Sequence, residues 1–254
     1  MRIPFAAENS YDWRVLSSLS IVIPAYNEAE TIEATIDDAL GVGPSVAREL
    51  EVWICNDGSR DHTAQLVAAR ATVDGRVRML DRAANAGIEA SIRALYARAR
   101  HEWVFLISAD RQWPMTALVD MAGAAEQGAD FVIGVRSNKR EVYTPYRRAL
   151  SWGFERIVRA LGAPGRDPGS IKLARRELLH APVAARGVFA EGERVIRAAR
   201  SGARVVEVAV DFQRRGAGEA TGARPDVVAR AIVDALRVTS SLAVGWPGAE
   251  RPDV

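Results

Sequence analysis

Short apolar runs alternate with amphipathic stretches along the first half of the chain. The runs have the length and β-branched content of buried strands, and they cover residues 19–23, 51–55, 76–80, 103–107 and 130–134. Segments with apolar residues at helical spacing separate them, at about 28–40, 61–73, 88–100 and 115–127. This alternation predicts an α/β fold in which a mostly parallel sheet carries helices on both faces.

The pattern changes after residue 135. Arginine-rich helical segments lead to a Gly/Pro-rich break at 162–165, a short strand candidate at 170–173 and a clearer strand at 205–210. Apolar residues then recur at helical spacing over 226–246, which predicts a C-terminal amphipathic helix. We therefore expect a single domain over 18–225 followed by this helix, with an N-terminal extension at 1–17 and a tail at 247–254.

The bulk properties are those of an ordinary globular protein. The 254 residues can bury one α/β core without a second domain. A net charge of only +2 argues against bulk nucleic-acid binding. The single cysteine, Cys55, excludes an internal disulfide, and the three histidines show no metal-ligand spacing.

The charges are unevenly distributed along the chain. Residues 27–61 carry nine acidic and two basic side chains, whereas residues 136–176 carry eleven basic and three acidic ones. An acidic nucleotide and metal side that faces a basic half would suit a substrate with several phosphates. Alternatively, most of these arginines only cover solvated helix faces.

Two predicted strands end in polar turns that lead into helices. Tyr26 and Glu28 follow the first apolar run, and Asp57 follows the second. Ligand sites of open α/β sheets lie at such turns, and a right-handed crossover brings neighbouring parallel strands together. We expect these three side chains to bind a nucleoside, with the ring on the base and the carboxylates accepting hydrogen bonds. The alternative is that they only build tight turns.

Several short motifs, in order, resemble those of the family 2 inverting glycosyltransferases, and the resemblance spans roughly residues 18–240. They are Ile21 to Glu28 (IVIPAYNE), Asn56 to Thr63 (NDGSRDHT), Asn85-Ala86-Gly87 and Asp110-Arg111-Gln112-Trp113-Pro114. The sequence looks most similar to the dolichol-phosphate mannosyltransferase and polyprenyl-phosphate hexosyltransferase group. That similarity rests on Asp110-x-Gln112-x-Pro114, Ile133-Gly134-Val135-Arg136 and Arg147-x-x-x-Ser151.

The resemblance implies a GT-A-like fold and the transfer of a hexose from a UDP-, GDP- or dTDP-sugar with inversion. The acceptor it implies is polyprenyl phosphate, and the cofactor is Mg²⁺ or Mn²⁺. Residues 18–135 would then be the nucleotide-sugar-binding half of the domain, and residues 136–225 the acceptor-side half. No nucleic-acid partner is expected.

The resemblance also implies roles for individual residues. Asp110 and Gln112 would bind the metal. The catalytic set, surrounding the donor diphosphate and the acceptor phosphate, would be Asp110, Arg136, Arg147 and Ser151. The nucleotide-sugar would be bound by Pro24, Tyr26, Glu28, Asp57, Ser108 and Ala109.

Two departures from the family pattern keep alternatives open. The family normally has an aspartate where this chain has Ser108, which removes one anionic metal ligand and leaves a non-catalytic nucleotide-binding module as an alternative. The stretch Asp167 to Lys172 is one residue shorter than in the family and lacks its Gly-Phe pair, so a soluble small-molecule acceptor is a further alternative. A hydroxyl acceptor would need a carboxylate base, for which Asp167 is the best candidate after residue 136, whereas a phosphate acceptor is already ionised.

The expected location follows from hydropathy. No apolar run approaches the roughly 20 residues needed to cross a bilayer, and Met1 to Leu19 lack the apolar segment of a signal peptide, so we expect a cytoplasmic protein. The C-terminal helix ordinarily would pack on the core. Its apolar face, with Val228, Ile232 and Leu236, would alternatively suit peripheral contact with the cytoplasmic membrane face.

Overall fold

A computed structural model describes residues 16–163, 166–187, 189–213 and 225–243. Its centre is a seven-stranded sheet with the order β3-β2-β1-β4-β6-β5-β7. The strands are β1 (Leu16–Ala25), β2 (Ala47–Asn56), β3 (Val77–Asp81), β4 (Trp103–Leu106), β5 (Phe131–Arg136), β6 (Lys172–Arg175) and β7 (Val205–Val210). The expected N-terminal extension, apart from its last two residues, and the expected 247–254 tail lie outside the described residues.

Helices connect most of the strands. In the first half they are α1 (Ile32–Val46), α2 (Thr63–Val73), α3 (Ile88–Tyr96) and α4 (Ala117–Glu126). In the second half they are α5 (Lys139–Val142), α6 (Pro145–Ala160), α7 (Arg176–His180), α8 (Ala190–Arg200) and α9 (Pro225–Ala243). None of the helices in the described part of the chain has the length and apolar character that crossing a bilayer would require.

The sheet is mostly parallel, as the sequence predicts. Strands β3, β2, β1 and β4 run parallel, and β5 pairs in parallel with β7. The short strand β6 lies between β4 and β5 and is antiparallel to both. The chain order reverses at β1, which has β2 on one side and β4 on the other, so the carboxyl ends of these three strands meet at a switch point of the topology.

Hydrophobic layers cover both faces of the sheet. Alternation along β1 directs Ile21 and Ile23 into one layer and Val22 into the other. The first layer is closed mainly by α1 and α4, and the second by α3, α6, α8 and α9. The two layers confirm the expected α/β class with helices on both faces of a single domain.

The C-terminal helix α9 packs on the second layer through Ala235 and Val238, which are buried. Its opposite side leaves Ile232 and Leu236 exposed, and the Val228 side chain lies outside the described part of the structure. The helix therefore packs on the core with one face, and the membrane contact expected for its other face stays a prediction.

Candidate active site

The turns after β1 and β2 are joined by hydrogen bonds. The amide of Asn27 donates to Ser59 Oγ (3.0 Å), and Asn27 Oδ1 accepts the amide of Arg60 (2.8 Å). The amide of Glu28 donates to Thr63 Oγ1 at 2.9 Å. Asn27 has a left-handed backbone (φ 54°), a conformation that asparagine tolerates better than most residues. Polar side chains of the second turn thus fix the backbone of the first.

Asp61 strengthens this junction. Its carboxylate accepts the amides of Ala29 (3.0 Å) and Thr63 (3.0 Å), and also the Thr63 hydroxyl. Burial alone would raise the pKa of Asp61, but these hydrogen bonds outweigh it and the pKa is lowered. The Asp61 carboxylate is therefore harder to protonate than that of an ordinary aspartate.

Asp57, directly after β2, is buried with 3% of its surface exposed. Its two carboxylate oxygens accept the amides of Ala86 (3.0 Å) and Gly87 (2.8 Å), and Arg82 Nη1 lies 3.4 Å from Oδ1. Asp57 therefore holds the segment that opens α3. This organising role adds to the nucleoside contact expected from the sequence, which stays a prediction.

Glycine is the one residue type that fits at position 58, the apex of this turn. Its φ is +69°, and an added Cβ would lie 2.5 Å from the carbonyl carbon of Ala84 and 2.6 Å from the nitrogen of Asn85. Both neighbours are backbone atoms, which cannot move aside without displacing the segment that Asp57 holds.

Gly58→Ala is expected to lower the free energy of unfolding by about 3 kcal/mol, because left-handed strain and overpacking add. Urea unfolding checks the value. Gly41→Ala is the matched control, since Gly41 lies in α1 with no atom within 4 Å of its added Cβ. The control is expected to stabilise by up to about 1 kcal/mol, and equal midpoints for the two variants would contradict this account of the turn.

The other residues predicted for the nucleotide lie around these turns. Tyr26 is 41% exposed at the end of β1, and Glu28 is half-buried, with its carboxylate accepting the Thr31 hydroxyl at 3.1 Å. Pro24 is buried within β1 opposite Cys55 of β2. Tyr26 and Glu28 are therefore more accessible at the strand ends than Pro24.

The turn after β4 carries the predicted metal residues. Oδ1 of Asp110 accepts the Ser108 hydroxyl (2.6 Å) and the amide of Gln112 (3.1 Å). Arg111, between Asp110 and Gln112, has a left-handed backbone (φ 54°), and its guanidinium binds Asp38 at 2.9 Å. Ala109 is buried and its carbonyl accepts the Thr35 hydroxyl, so α1 anchors the turn.

The chemistry of this turn fits a divalent cation through Asp110. Its Oδ2 accepts no hydrogen bond from any described residue, which leaves a carboxylate oxygen for a hard cation. No group of three or more His, Cys, Asp or Glu side chains in the described part of the chain could hold a metal by itself. Such a cation would therefore need oxygen ligands from a substrate, as Mg²⁺ does with nucleotide phosphates.

Ser108→Asp is expected to increase the rise in melting temperature that Mn²⁺ produces in the presence of nucleoside diphosphate. The new carboxylate would lie beside Asp110, where two anions repel each other without a cation and chelate one when it binds. Thermal unfolding with and without Mn²⁺ measures the effect, and Ser108→Asn is the control of equal size without the charge. A metal response no larger than that of Ser108→Asn would contradict the assignment.

Arg136 lies at the end of β5 in an aromatic surround. Its guanidinium carbon is 4.5 Å from the ring centre of Trp113 and 4.3 Å from that of Phe212. Nη1 lies 3.2 Å from Oδ1 of Asp167, while Nε is buried without a hydrogen-bond partner among the described residues. The phosphate contact predicted for Arg136 would therefore use a guanidinium already held by rings and a carboxylate.

Asp167 is the centre of an ion-pair cluster. Besides Arg136, its carboxylate binds Lys139 Nζ at 2.8 Å, and the amide of Arg136 donates to its other oxygen at 2.9 Å. Lys139 also pairs with Glu155 of α6. Burial alone would lower the pKa of Lys139, but the two carboxylates outweigh it and raise the pKa. Asp167 is thus engaged at both oxygens, which suits an ion-pair partner better than a base.

The remaining predicted residues lie on α6. Ser151 donates to Glu155 at 3.2 Å, which links it to the Lys139 and Asp167 cluster. Arg147 belongs to the same helix, one turn before Ser151, and its side chain lies outside the described part of the structure. The structure therefore brings Arg136 and Ser151 into one cluster of charges and leaves the position of the Arg147 side chain open.

A buried ionic network was not predicted from the sequence. Lys172 of β6 is fully buried, and its Nζ lies 3.1 Å from Glu191 of α8. Glu191 also binds Arg194 at 2.7 Å and accepts the Tyr96 hydroxyl at 3.1 Å, and Arg194 lies 3.8 Å from Glu89. The network joins β6, α8 and α3 behind the segment that Asp57 holds.

Burial and pairing set the ionisation of this network. Burial raises the pKa of Glu89 and lowers that of Lys172. Burial would also raise the pKa of Glu191, but Lys172 and Arg194 outweigh it and the pKa is lowered. Glu191 is therefore the anion on which two buried cations depend.

Comparisons with known proteins agree with this architecture. Residues 20–181 match the model of glycosyl transferase family 2. The undecaprenyl-phosphate 4-deoxy-4-formamido-L-arabinose transferases of Pseudomonas fluorescens and Pseudomonas paraeruginosa are 33% and 32% identical over 173 residues. Each match covers 66% of this chain and 50% of the relative, so the chain spans about half the length of these relatives.

Solved structures show the same fold. Mannosyl-3-phosphoglycerate synthase from Rubrobacter xylanophilus superposes with a TM-score of 0.72 and 16% identity, covering 94% of this chain and 78% of that one. Glucosyl-3-phosphoglycerate synthase from Mycobacterium tuberculosis was solved with Mn²⁺, UDP and phosphoglyceric acid. It superposes with a TM-score of 0.68 and 20% identity, covering 93% of this chain and 80% of that one. The GT-A-like arrangement of strands that the resemblance implied is thereby confirmed, and with the family match over 20–181 the chain belongs to glycosyl transferase family 2.

Proposed function

We propose that the chain transfers a hexose, with inversion, from a nucleotide-sugar to a phosphate acceptor, and that this acceptor is polyprenyl phosphate. One observation carries the proposal: three adjacent parallel strands, β2, β1 and β4, end in turns that hold Asp57, Tyr26 and Asp110. Nucleotide ligands of α/β sheets bind in this position. Two curated relatives are named for transfer of a sugar to undecaprenyl phosphate, which supports the acceptor.

The donor nucleoside would lie over the ends of β1 and β2. The exposed ring of Tyr26 offers an apolar face for a base, and the carboxylates of Glu28 and Asp57 offer hydrogen-bond acceptors. Oδ1 of Asp57 already accepts the Ala86 amide and Arg82 Nη1, whereas Oδ2 accepts only the Gly87 amide among the described residues and has a second lone pair for a ligand. The joined turns fix these groups before the donor binds, which reduces the entropy lost on binding.

The diphosphate would lie between the Asp110 turn and the basic side chains after β5. Asp110 and Gln112 would hold Mg²⁺ or Mn²⁺ with the donor diphosphate, and the bound ion would stabilise negative charge on the leaving group. Ser108 and Ala109 would flank it from the same turn. Arg136, with its planar guanidinium presented by Trp113 and Phe212, would bind phosphate oxygens.

The acceptor side would be formed by α6 and the cluster around Asp167. Ser151 and Arg147 would bind the acceptor phosphate, whose oxygens are ionised at neutral pH and need no base to attack the sugar. The engagement of both Asp167 oxygens with Arg136 and Lys139 fits such a base-free acceptor. Asp167→Asn is accordingly expected to change the free energy of unfolding and to leave the pH dependence of sugar transfer nearly unchanged.

A soluble phosphate-bearing acceptor is the second candidate. It is favoured by the structural neighbour solved with phosphoglyceric acid, which covers 93% of this chain. Both candidates share an anionic acceptor and the same donor side. The two differ in whether the acceptor carries a lipid.

The donor site is tested by Asp57→Ala, which is expected to weaken binding of the preferred nucleoside diphosphate by at least ~1.5 kcal/mol, or about 12-fold. A thermal-shift screen of UDP-, GDP- and dTDP-sugars with Mn²⁺ identifies that nucleotide, and calorimetry measures its affinity. Arg82→Gln is the control, because it loosens the hold on the same segment and keeps the carboxylate. Unchanged affinity in Asp57→Ala would remove Asp57 from the nucleoside site.

A further inference from the structure

Helix α6 has one face against the protein and one face open to solvent. Phe154 and Val158 pack toward Gly192 of α8, and Ser151 and Glu155 point to the cluster around Lys139. These four positions follow the i, i+3, i+4, i+7 spacing of a single helix face. The solvent-exposed side, which we call the α6 outer face, includes Tyr146, Arg148, Trp152, Arg156 and Arg159.

The α6 outer face exposes large aromatic rings. Trp152 is 62% exposed and Tyr146 is 55% exposed, and they lie near the middle and the start of the helix. The guanidinium of Arg156 lies 5.1 Å from the Trp152 ring centre, so a cation and an indole share one patch. Trp and Tyr with arginine is the composition of helices that lie at a lipid headgroup boundary.

The charges of the α6 outer face indicate which kind of surface it can bind. Arg148, Arg156 and Arg159 are all exposed, whereas Glu155, the helix's one carboxylate, is largely buried, pairs with Lys139 and lies 4.0 Å from Arg159 Nη2. Two copies of the α6 outer face would therefore place like charges together. A surface rich in anionic lipid headgroups complements both the arginines and the rings.

We propose that the α6 outer face docks on an anionic membrane surface, with the helix axis in the plane of the headgroups. The chain would lie on the bilayer rather than cross it. Ser151 is on the opposite side of the same helix, so docking would hold the proposed acceptor side of the enzyme within a helix diameter of the headgroups. The docking itself does not depend on the identity of the acceptor or on catalysis.

Flotation of the full chain with vesicles tests the proposal. Wild type is expected to float with phosphatidylglycerol-containing vesicles, to bind pure phosphatidylcholine much more weakly and to be released by salt. Changing Arg148, Arg156 and Arg159 to Gln is expected to lower the partition coefficient about 100-fold, at about fivefold per charge. The matched control changes to Gln three exposed arginines at the other end of the sheet, beside the start of β4 and the end of β6, namely Arg98, Arg100 and Arg176.

The control variant is expected to float nearly as well as wild type. Equal loss in both triple variants would show attraction by net charge alone and overturn the proposal, as would wild type that ignores anionic vesicles. Circular dichroism confirms that the variants fold. Because lipid binding and sugar transfer are measured separately, a folded chain that floats but transfers no sugar would contradict the proposed function and leave the docking intact.

Fluorescence locates the contact on the helix. Brominated lipids are expected to quench tryptophan emission of wild type, and Trp152→Phe should remove most of that quenching while retaining flotation. Quenching that persists in Trp152→Phe would place the contact elsewhere and overturn the assignment to α6. Light scattering without lipid should give a monomer; a dimer that Trp152→Ser dissociates would assign the face to a second copy instead.

Discussion

Asp110→Ala is expected to lower the rate of sugar transfer about 1,000-fold. The variant removes the carboxylate oxygen that is left for a cation at the turn after β4, and no cluster of three or more His, Cys, Asp or Glu among the described residues could replace it. Stabilisation of a leaving diphosphate by a metal contributes several kcal/mol, and about 4 kcal/mol corresponds to this factor. Initial rates with saturating Mn²⁺ and donor measure it.

Asp120→Ala is the matched control, since Asp120 is an exposed carboxylate on α4 that follows the same turn. It should retain nearly full activity. Asp110→Asn separates charge from shape: it is expected to lose the Mn²⁺ dependence of nucleotide binding while melting close to wild type. Metal-dependent binding that survives in Asp110→Asn would refute the assignment of the metal to this turn.

Glu191→Leu is expected to lower the free energy of unfolding by roughly 3–5 kcal/mol, because it leaves Lys172 and Arg194 buried without their shared counter-charge. Urea unfolding at neutral pH measures the loss. The double variant Glu191→Leu/Lys172→Met removes an anion and a cation together and leaves Arg194 close to Glu89. It is expected to recover much of the lost stability. If the double variant instead loses the sum of the unfolding free energies that the two single variants lose, Glu191 and Lys172 are not coupled and the network is contradicted.

The pH dependence of stability gives a second test of the role of Glu191. The pKa of Glu191 is lowered from 4.5 in the folded chain by Lys172 and Arg194, which outweigh its burial. Its contribution to stability is therefore present above about pH 4.5, the unfolded value, and is lost as pH falls through the lower folded value. Glu191→Leu should lack this part of the acid-induced loss, and an unchanged acid profile would count against the assignment.

The periodicity of the sequence predicts much of the fold. Runs such as Val52–Cys55 are apolar enough to identify buried parallel strands, and the helices between them show their buried faces. The antiparallel insertion of β6 between β4 and β5 is different. A strand of four residues has too few positions for periodicity to define its partners, so its place is decided by long-range pairing.

The candidate site is likewise only partly predictable from the sequence. Asp57 and Asp110 can be found because each comes within three residues of the end of an apolar run, where polar residues mark the strand end. The backbone amides of Ala86 and Gly87 that bind Asp57 carry no side-chain signal. Lys172 and Glu191 are 19 positions apart, and only the fold shows that these two charges share an interior.

Transfer of sugar from a labelled donor to polyprenyl phosphate is the direct test of the proposed reaction. The full chain, Mn²⁺ and each of the UDP-, GDP- and dTDP-hexoses would be incubated in parallel with polyprenyl phosphate vesicles and with phosphoglyceric acid. We expect a sugar-bearing lipid phosphate in the organic extract, with nucleoside diphosphate released in equal amount, and neither product from Asp110→Ala. Transfer to the soluble acceptor alone, or no transfer from any donor by the folded chain, would refute a polyprenyl-phosphate acceptor.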